Sequence, residues 1–220
     1  MNILDRYFDS VIFDMDGLTL DNGSLYKSAY QNAAKKLGYF LSDELYEQLL
    51  GLPHAVCDHI LKEAFGEEFS IENFTLEMEE QYHETLDKEG VKFREGFEEL
   101  FSYLKKQEVC LALGTSSTLK HVKNHLGRTS YLECFDVICT ADDIKRGKPD
   151  PEIYNLVARL MNRQTENTLV FEDSNNGMRA AIAAGCMGIM VPNQVPPEND
   201  VKQNALLVIS SLADIIPLMG

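Results

Sequence analysis

Short apolar segments that break off at polar clusters set the tightest limit on how this chain can fold. Ser10-Val11-Ile12-Phe13 stops at Asp14, the stretch 109–114 runs into Thr115, and 168–171 runs into Glu172-Asp173. A fourth segment, 135–140, shortly precedes Arg146-Gly147-Lys148-Pro149. Apolar runs of about 4–8 residues bounded in this way read as buried strands. From about residue 91 onward they alternate with helix-period patterns at 96–107, 119–126, 151–161 and 176–184. Two more short strands follow at 187–191 and 206–209, with a closing helix at 212–218. Such alternation predicts a parallel sheet covered by helices on both faces.

The stretch after the first strand breaks this rhythm. Helical periodicity runs through 25–37, 43–50, 56–65 and 72–86, with no strand between them. Ser42 and Ser70 are placed to cap helices, and Gly38, Gly51 and Gly66 punctuate their ends. The expectation is an α/β protein: a Rossmann-like parallel sheet core built from 1–20 and 90–220, plus an inserted α-helical cap domain at 21–89. Internal repeats and low-complexity segments are absent from the sequence.

Charge narrows the function. A net charge of -15 disfavours nucleic acid and anionic membrane surfaces, which call for clustered Lys and Arg. No apolar run approaches the roughly 18–20 residues of a membrane span. Residues 1–6 lack the basic-then-apolar layout of a signal peptide, so a cytoplasmic protein is expected, with monomer as the default state. The five cysteines have no CxxC spacing and read as buried thiols in a reducing compartment.

Ligands of doubly wound sheets bind beyond the carboxyl ends of the strands, where four polar clusters of this sequence fall. In Asp14-Met15-Asp16-Gly17, two carboxylates share one side of an extended segment and can serve as nucleophile and general acid/base, while Gly17 permits a sharp turn. In Gly114-Thr115-Ser116-Ser117, Thr115 can donate its hydroxyl and neighbouring N–H groups can cradle a phosphate. Lys148, between Gly147 and Pro149, can neutralise a transferring phosphoryl group. Glu172-Asp173 offers the oxygen ligands that Mg²⁺ prefers. Each cluster also has an ordinary reading: turn-forming acids, a cap by Ser116 or Ser117, a solvated lysine, a cap by Asp173 or Ser174. Together they make a complete phosphoryl-transfer set.

At DMDGLTLD, LGTSS, GKPDP and FEDSNNG the sequence resembles, in order and spacing, the four motifs of the haloacid dehalogenase-like superfamily. The helical insertion resembles that family's small α-helical cap. Within the superfamily the chain looks like the β-phosphoglucomutase group, and its C-terminal third is most similar to pseudouridine-5′-phosphatase-like proteins. The resemblance implies that Asp14 attacks phosphorus, that Asp16 protonates the leaving oxygen and later activates water, and that Thr115 and Lys148 hold the phosphoryl group. It implies Mg²⁺ as cofactor, bound by Asp14, the backbone oxygen of Asp16 and Asp173, with Glu172 in or just behind that shell. The substrate it implies is a small phosphate monoester, a sugar phosphate or nucleoside monophosphate, and Ser116, His54 and Arg94 are further candidates to touch it. The sequence departs from the family in having Thr rather than Ser at position 115, preceded by Gly114.

A β-phosphoglucomutase-type phosphomutase shares these motifs, and the difference is expected to lie in cap contacts. A receiver-like or pseudoenzyme scaffold is the non-enzymatic alternative, but receivers carry the acid pair and the phosphorylated Asp in the reverse order. His121 and His125, four apart on a helix, lack an obvious further ligand and read as a solvated face rather than a metal site.

Overall fold

The computed structural model of the 220-residue chain describes residues 1–50, 52 and 54–220. Its contacts divide it into two compact units, Met1–Asp21 with Val91–Gly220, and Asn22–Gly90.

The first unit opens with a small antiparallel hairpin, β1 (Asn2–Ile3) and β2 (Arg6–Tyr7). Its turn residues Leu4 and Asp5 both take positive φ, and since that geometry normally selects Asn or Gly, the sequence carries no hairpin signal. β3 (Ser10–Phe13) follows, buried throughout.

The chain then enters the second unit, which is helical: α1 (Gly23–Lys36), α2 (Asp43–Leu49), α3 (His54–Phe65) and α4 (Ile71–Glu89). Ser42 and Ser70 accept hydrogen bonds from Leu45 N and Asn73 N, as cap residues do. Ala33, Ala34, Leu41, Tyr46, Leu61, Phe69 and Phe74 form its apolar centre. Lys36 joins α1 to α4 through Glu77 at 2.7 Å and Glu80 at 3.2 Å.

Back in the first unit come α5 (Phe97–Lys106), β4 (Cys110–Gly114), α6 (Leu119–Leu126), β5 (Val137–Cys139), α7 (Glu152–Met161), β6 (Thr168–Glu172), α8 (Asn175–Ala183), β7 (Met187–Met190), α9 (Asn199–Asn204) and β8 (Leu207–Val208). The closing helix expected at 212–218 is present as a 3₁₀ helix containing Pro217. The sheet order is β5-β4-β3-β6-β7-β8, parallel throughout, which is the α/β architecture the alternation predicts. Alternate side chains sort to opposite faces. Val11, Phe13, Leu111, Leu113 and Phe171 pack with α5, α6 and the C-terminal 3₁₀ helix, whereas Ile12, Ala112 and Val170 pack with α7 and α8. Phe13 stacks on Phe171 at 5.4 Å and meets Phe97 edge-on at 5.6 Å.

The order places a switch point between β3 and β6, because the chain moves from β3 out to β5 and then crosses back to β6. Phe13 is in register with Leu113 on one side and Phe171 on the other. The first residues beyond these three strands therefore converge. Among the described residues no helix is long and apolar enough to cross a membrane.

Candidate active site

Asp14 leaves β3 in the middle of the sheet, its N–H bonded to Phe171 O at 3.0 Å. The following loop closes on itself: Thr19 N and Leu20 N donate to Met15 O, Gly17 N donates to Leu20 O, and the Thr19 hydroxyl donates to Asp14 O at 2.6 Å. Met15 is sunk in the core, so Asp14 and Asp16, one step to either side, present their carboxylates away from it. Gly17 has φ +85°, and a Cβ there would strike the Asp173 carboxylate. Glycine is thus required twice, for the turn and for the approach of this loop to β6.

Lys148 is the pivot. Its ammonium contacts Asp14 Oδ1 at 2.5 Å, Glu172 Oε1 at 2.6 Å and Gly114 O at 3.1 Å, and its side chain is 6% exposed. Burial works against this ammonium, but Asp14 and Glu172 outweigh it and hold Lys148 protonated. The loop that aims it is tied down by Glu152 at the start of α7, which accepts from Lys145 N and Arg146 N.

Glu172 is fully buried, and both of its oxygens are committed. Oε1 takes the Lys148 ammonium and the Tyr154 hydroxyl, each at 2.6 Å, while Oε2 accepts from Asp173 N, Ser174 N and the Ser174 hydroxyl. Gly177 in α8 makes room, since a Cβ there would overlap the carboxyl group. Asp173 has less support: burial, then Glu172, push its carboxyl up to about 8 against the pull of Lys148. Asp14 is also raised, by burial first, with Lys148 opposing and Glu172 and Asp173 adding to the rise.

Carboxylate oxygens of Asp14, Glu172 and Asp173 lie within 4.8 Å of one another. An oxygen-only donor set with more negative charge than one lysine balances fits a hard cation such as Mg²⁺. Because Glu172 is saturated by protein donors, Asp14 and Asp173 are the side chains able to face such an ion.

The loop after β4 differs from expectation. Thr115 is buried, its N–H donates to Cys139 O, and its hydroxyl oxygen accepts from Ser117 N, which leaves the hydroxyl proton to donate elsewhere. Two of the N–H groups expected to cradle phosphate are therefore committed within the protein. Ser116 is exposed, and the cap of α6 is neither Ser116 nor Ser117 but Thr118. Ser117 instead donates to Asp16 Oδ2 at 2.6 Å. The reading of His121 and His125 as a solvated face is also overturned. His125 is 1% exposed because it shares the sheet-facing stripe of α6 with Val122 and Leu126, and His121 Nε2 lies 3.1 Å from Asp16 Oδ1. Sequence reasoning reads Ser117 only as a cap and His121 only as part of a solvated face, and it gives Tyr154 and Glu152 no role; of these two, Tyr154 leaves a signal, as the polar aromatic on the apolar stripe of α7.

Arg94 follows residues 92–93, which run alongside 20–21, and it donates to Asn193 Oδ1 at 3.1 Å and Pro192 O at 3.4 Å. Asn193 in turn borders Gly17. The His54 side chain lies outside the described residues.

A family model described as haloacid dehalogenase-like hydrolase matches residues 11–191. The chain is similar to a phosphorylated carbohydrates phosphatase of Thermotoga maritima, 37% identical over 177 residues that cover 80% of this chain and 82% of that one. It is 29% identical over 214 residues to the probable pseudouridine-5′-phosphatase of Drosophila melanogaster, covering 94% and 90% of the two chains. A solved structure from Thermotoga maritima described as a "putative beta-phosphoglucomutase" superposes with a TM-score of 0.82 at 31% identity, covering 96% of this chain and 98% of the other.

Proposed function

This chain belongs to the haloacid dehalogenase-like hydrolase family, and from that premise we propose that it is a Mg²⁺-dependent phosphatase of small phosphate monoesters that works through an aspartyl-phosphate on Asp14. The observation that carries the proposal is the bridge from Lys148 to both Asp14 and Glu172 at the switch point of the sheet, with Asp173 alongside. An Asp14 oxygen attacks phosphorus as the bond to the leaving oxygen breaks. Asp16 gives that oxygen its proton, then takes one from the water that attacks the phosphoryl group, releasing phosphate and restoring Asp14. Lys148 stays charged throughout and Thr115 donates its hydroxyl, so developing charge meets donors already in place. Asp14, Asp173 and the backbone oxygen of Asp16 would hold Mg²⁺, which supplies a positive charge for the phosphoryl oxygens.

The relatives named for carbohydrate and pseudouridine phosphates support a sugar phosphate or nucleoside monophosphate as substrate. The likeness to the β-phosphoglucomutase structure favours a second reading, phosphomutase, in which the phosphoryl group returns to the sugar. A panel of sugar and nucleoside monophosphates, assayed for inorganic phosphate with and without Mg²⁺, tests the proposal. Phosphate release that requires Mg²⁺ and vanishes in Asp14→Asn is expected. Conversion of glucose 1-phosphate to glucose 6-phosphate with little phosphate release would replace it with the mutase.

A further inference from the structure

The histidine pair of α6 has no part in the mechanism above, yet one member reaches its proposed acid/base. Both oxygens of Asp16 are engaged from a single short segment: Oδ2 by the Ser117 hydroxyl at 2.6 Å and Oδ1 by His121 Nε2 at 3.1 Å. Lys148, by contrast, contacts Asp14, Glu172 and Gly114.

The support behind His121 is stiff. Thr118 caps the helix through His121 N, and Asp142 accepts from Leu119 N at 2.9 Å. The buried His125 lies against the His121 ring at 4.2 Å between centroids, and its Nδ1 sits 2.9 Å from the His121 carbonyl oxygen. A carbonyl only accepts, so His125 Nδ1 carries the proton and donates. His121 itself needs only the neutral ring with hydrogen on Nε2 to donate to the carboxylate.

From this geometry we infer that His121 is a positioning residue for Asp16. With Ser117 it fixes the carboxylate so that proton transfer begins from one geometry rather than from a freely rotating side chain. The inference rests on the acid/base role of Asp16 proposed above.

Its test compares leaving groups. An alkoxide needs a proton as it departs, whereas a nitrophenolate does not. Single-turnover release of glycerol from β-glycerol phosphate and of nitrophenol from p-nitrophenyl phosphate is measured for the wild type, His121→Phe, His121→Ala, His121→Gln and Asp16→Ala. His121→Phe keeps the ring against His125 and removes the donor, so it decides the matter should His121→Ala fail to fold. His121→Phe is expected to lose about tenfold or more on β-glycerol phosphate and less than about threefold on p-nitrophenyl phosphate, with His121→Gln recovering most of the loss through its amide N–H. An equal loss on both substrates, or no loss, overturns the inference while a selective loss in Asp16→Ala leaves the acid/base reading standing. Absence of a selective loss in Asp16→Ala overturns that reading and the inference with it.

Discussion

On the β6 flank of the site, Asp14 and Glu172 share one buried ammonium, and a buried tyrosine hydroxyl and the α8 N-terminus complete the coordination of Glu172. On the β4–α6 flank, Asp16 is 26% exposed at its side chain and is held by a serine hydroxyl and an imidazole. Three carboxylates of one site are thus stabilised by two different means. The buried flank relies on a full opposite charge, because a carboxylate without one is costly away from water. The more open flank uses weaker donors, which suits the acid/base role proposed for Asp16.

The contrast can be broken most severely at Lys148. Lys148→Met removes the only cation contacting Asp14 and Glu172 among the described residues, so phosphate release should be abolished and stability should fall by about 3–5 kcal/mol, read by urea denaturation. Mg²⁺ should offset part of the excess charge: at about a hundred times its Kd it should stabilise the wild type by about 2.7 kcal/mol, and Asp173→Asn should show much less of this thermal shift. Tyr154→Phe sharpens the comparison on the buried side. It deletes one donor to Glu172 and should cost about 1.5–3 kcal/mol in the same denaturation assay. Thr118→Ala on the exposed flank removes a helix cap and should cost about 1 kcal/mol, with the activity loss falling on alkyl phosphates if α6 carries Asp16's support.

Asp14, Lys148 and Glu172-Asp173 each have an ordinary reading when taken alone, and they are legible as a set because all of them fall at or shortly beyond strand ends and together complete a phosphoryl-transfer site. The sheet was legible for the related reason that its strands alternate with helices. His125 departs from expectation because its position outweighs its polar type: three residues after Val122 and one before Leu126, it lies on the buried stripe. The loop after β4 departs from expectation because Thr115 N–H goes to the Cys139 carbonyl on β5 and Ser117 N–H to the Thr115 hydroxyl, and residue order reveals neither the strand pairing nor the local competition.

The α/β core, the helical insertion and the acidic, lysine-bearing strand ends can be read from residue order alone, since periodicity and abrupt polarity changes are local properties of the chain. Which oxygens meet which donors, by contrast, emerges only from the packed fold. Asp16 and His121 are 105 positions apart, and Asp14 and Lys148 134 apart, so their pairing depends on strand register and helix rotation, which are fixed by packing across the whole sheet.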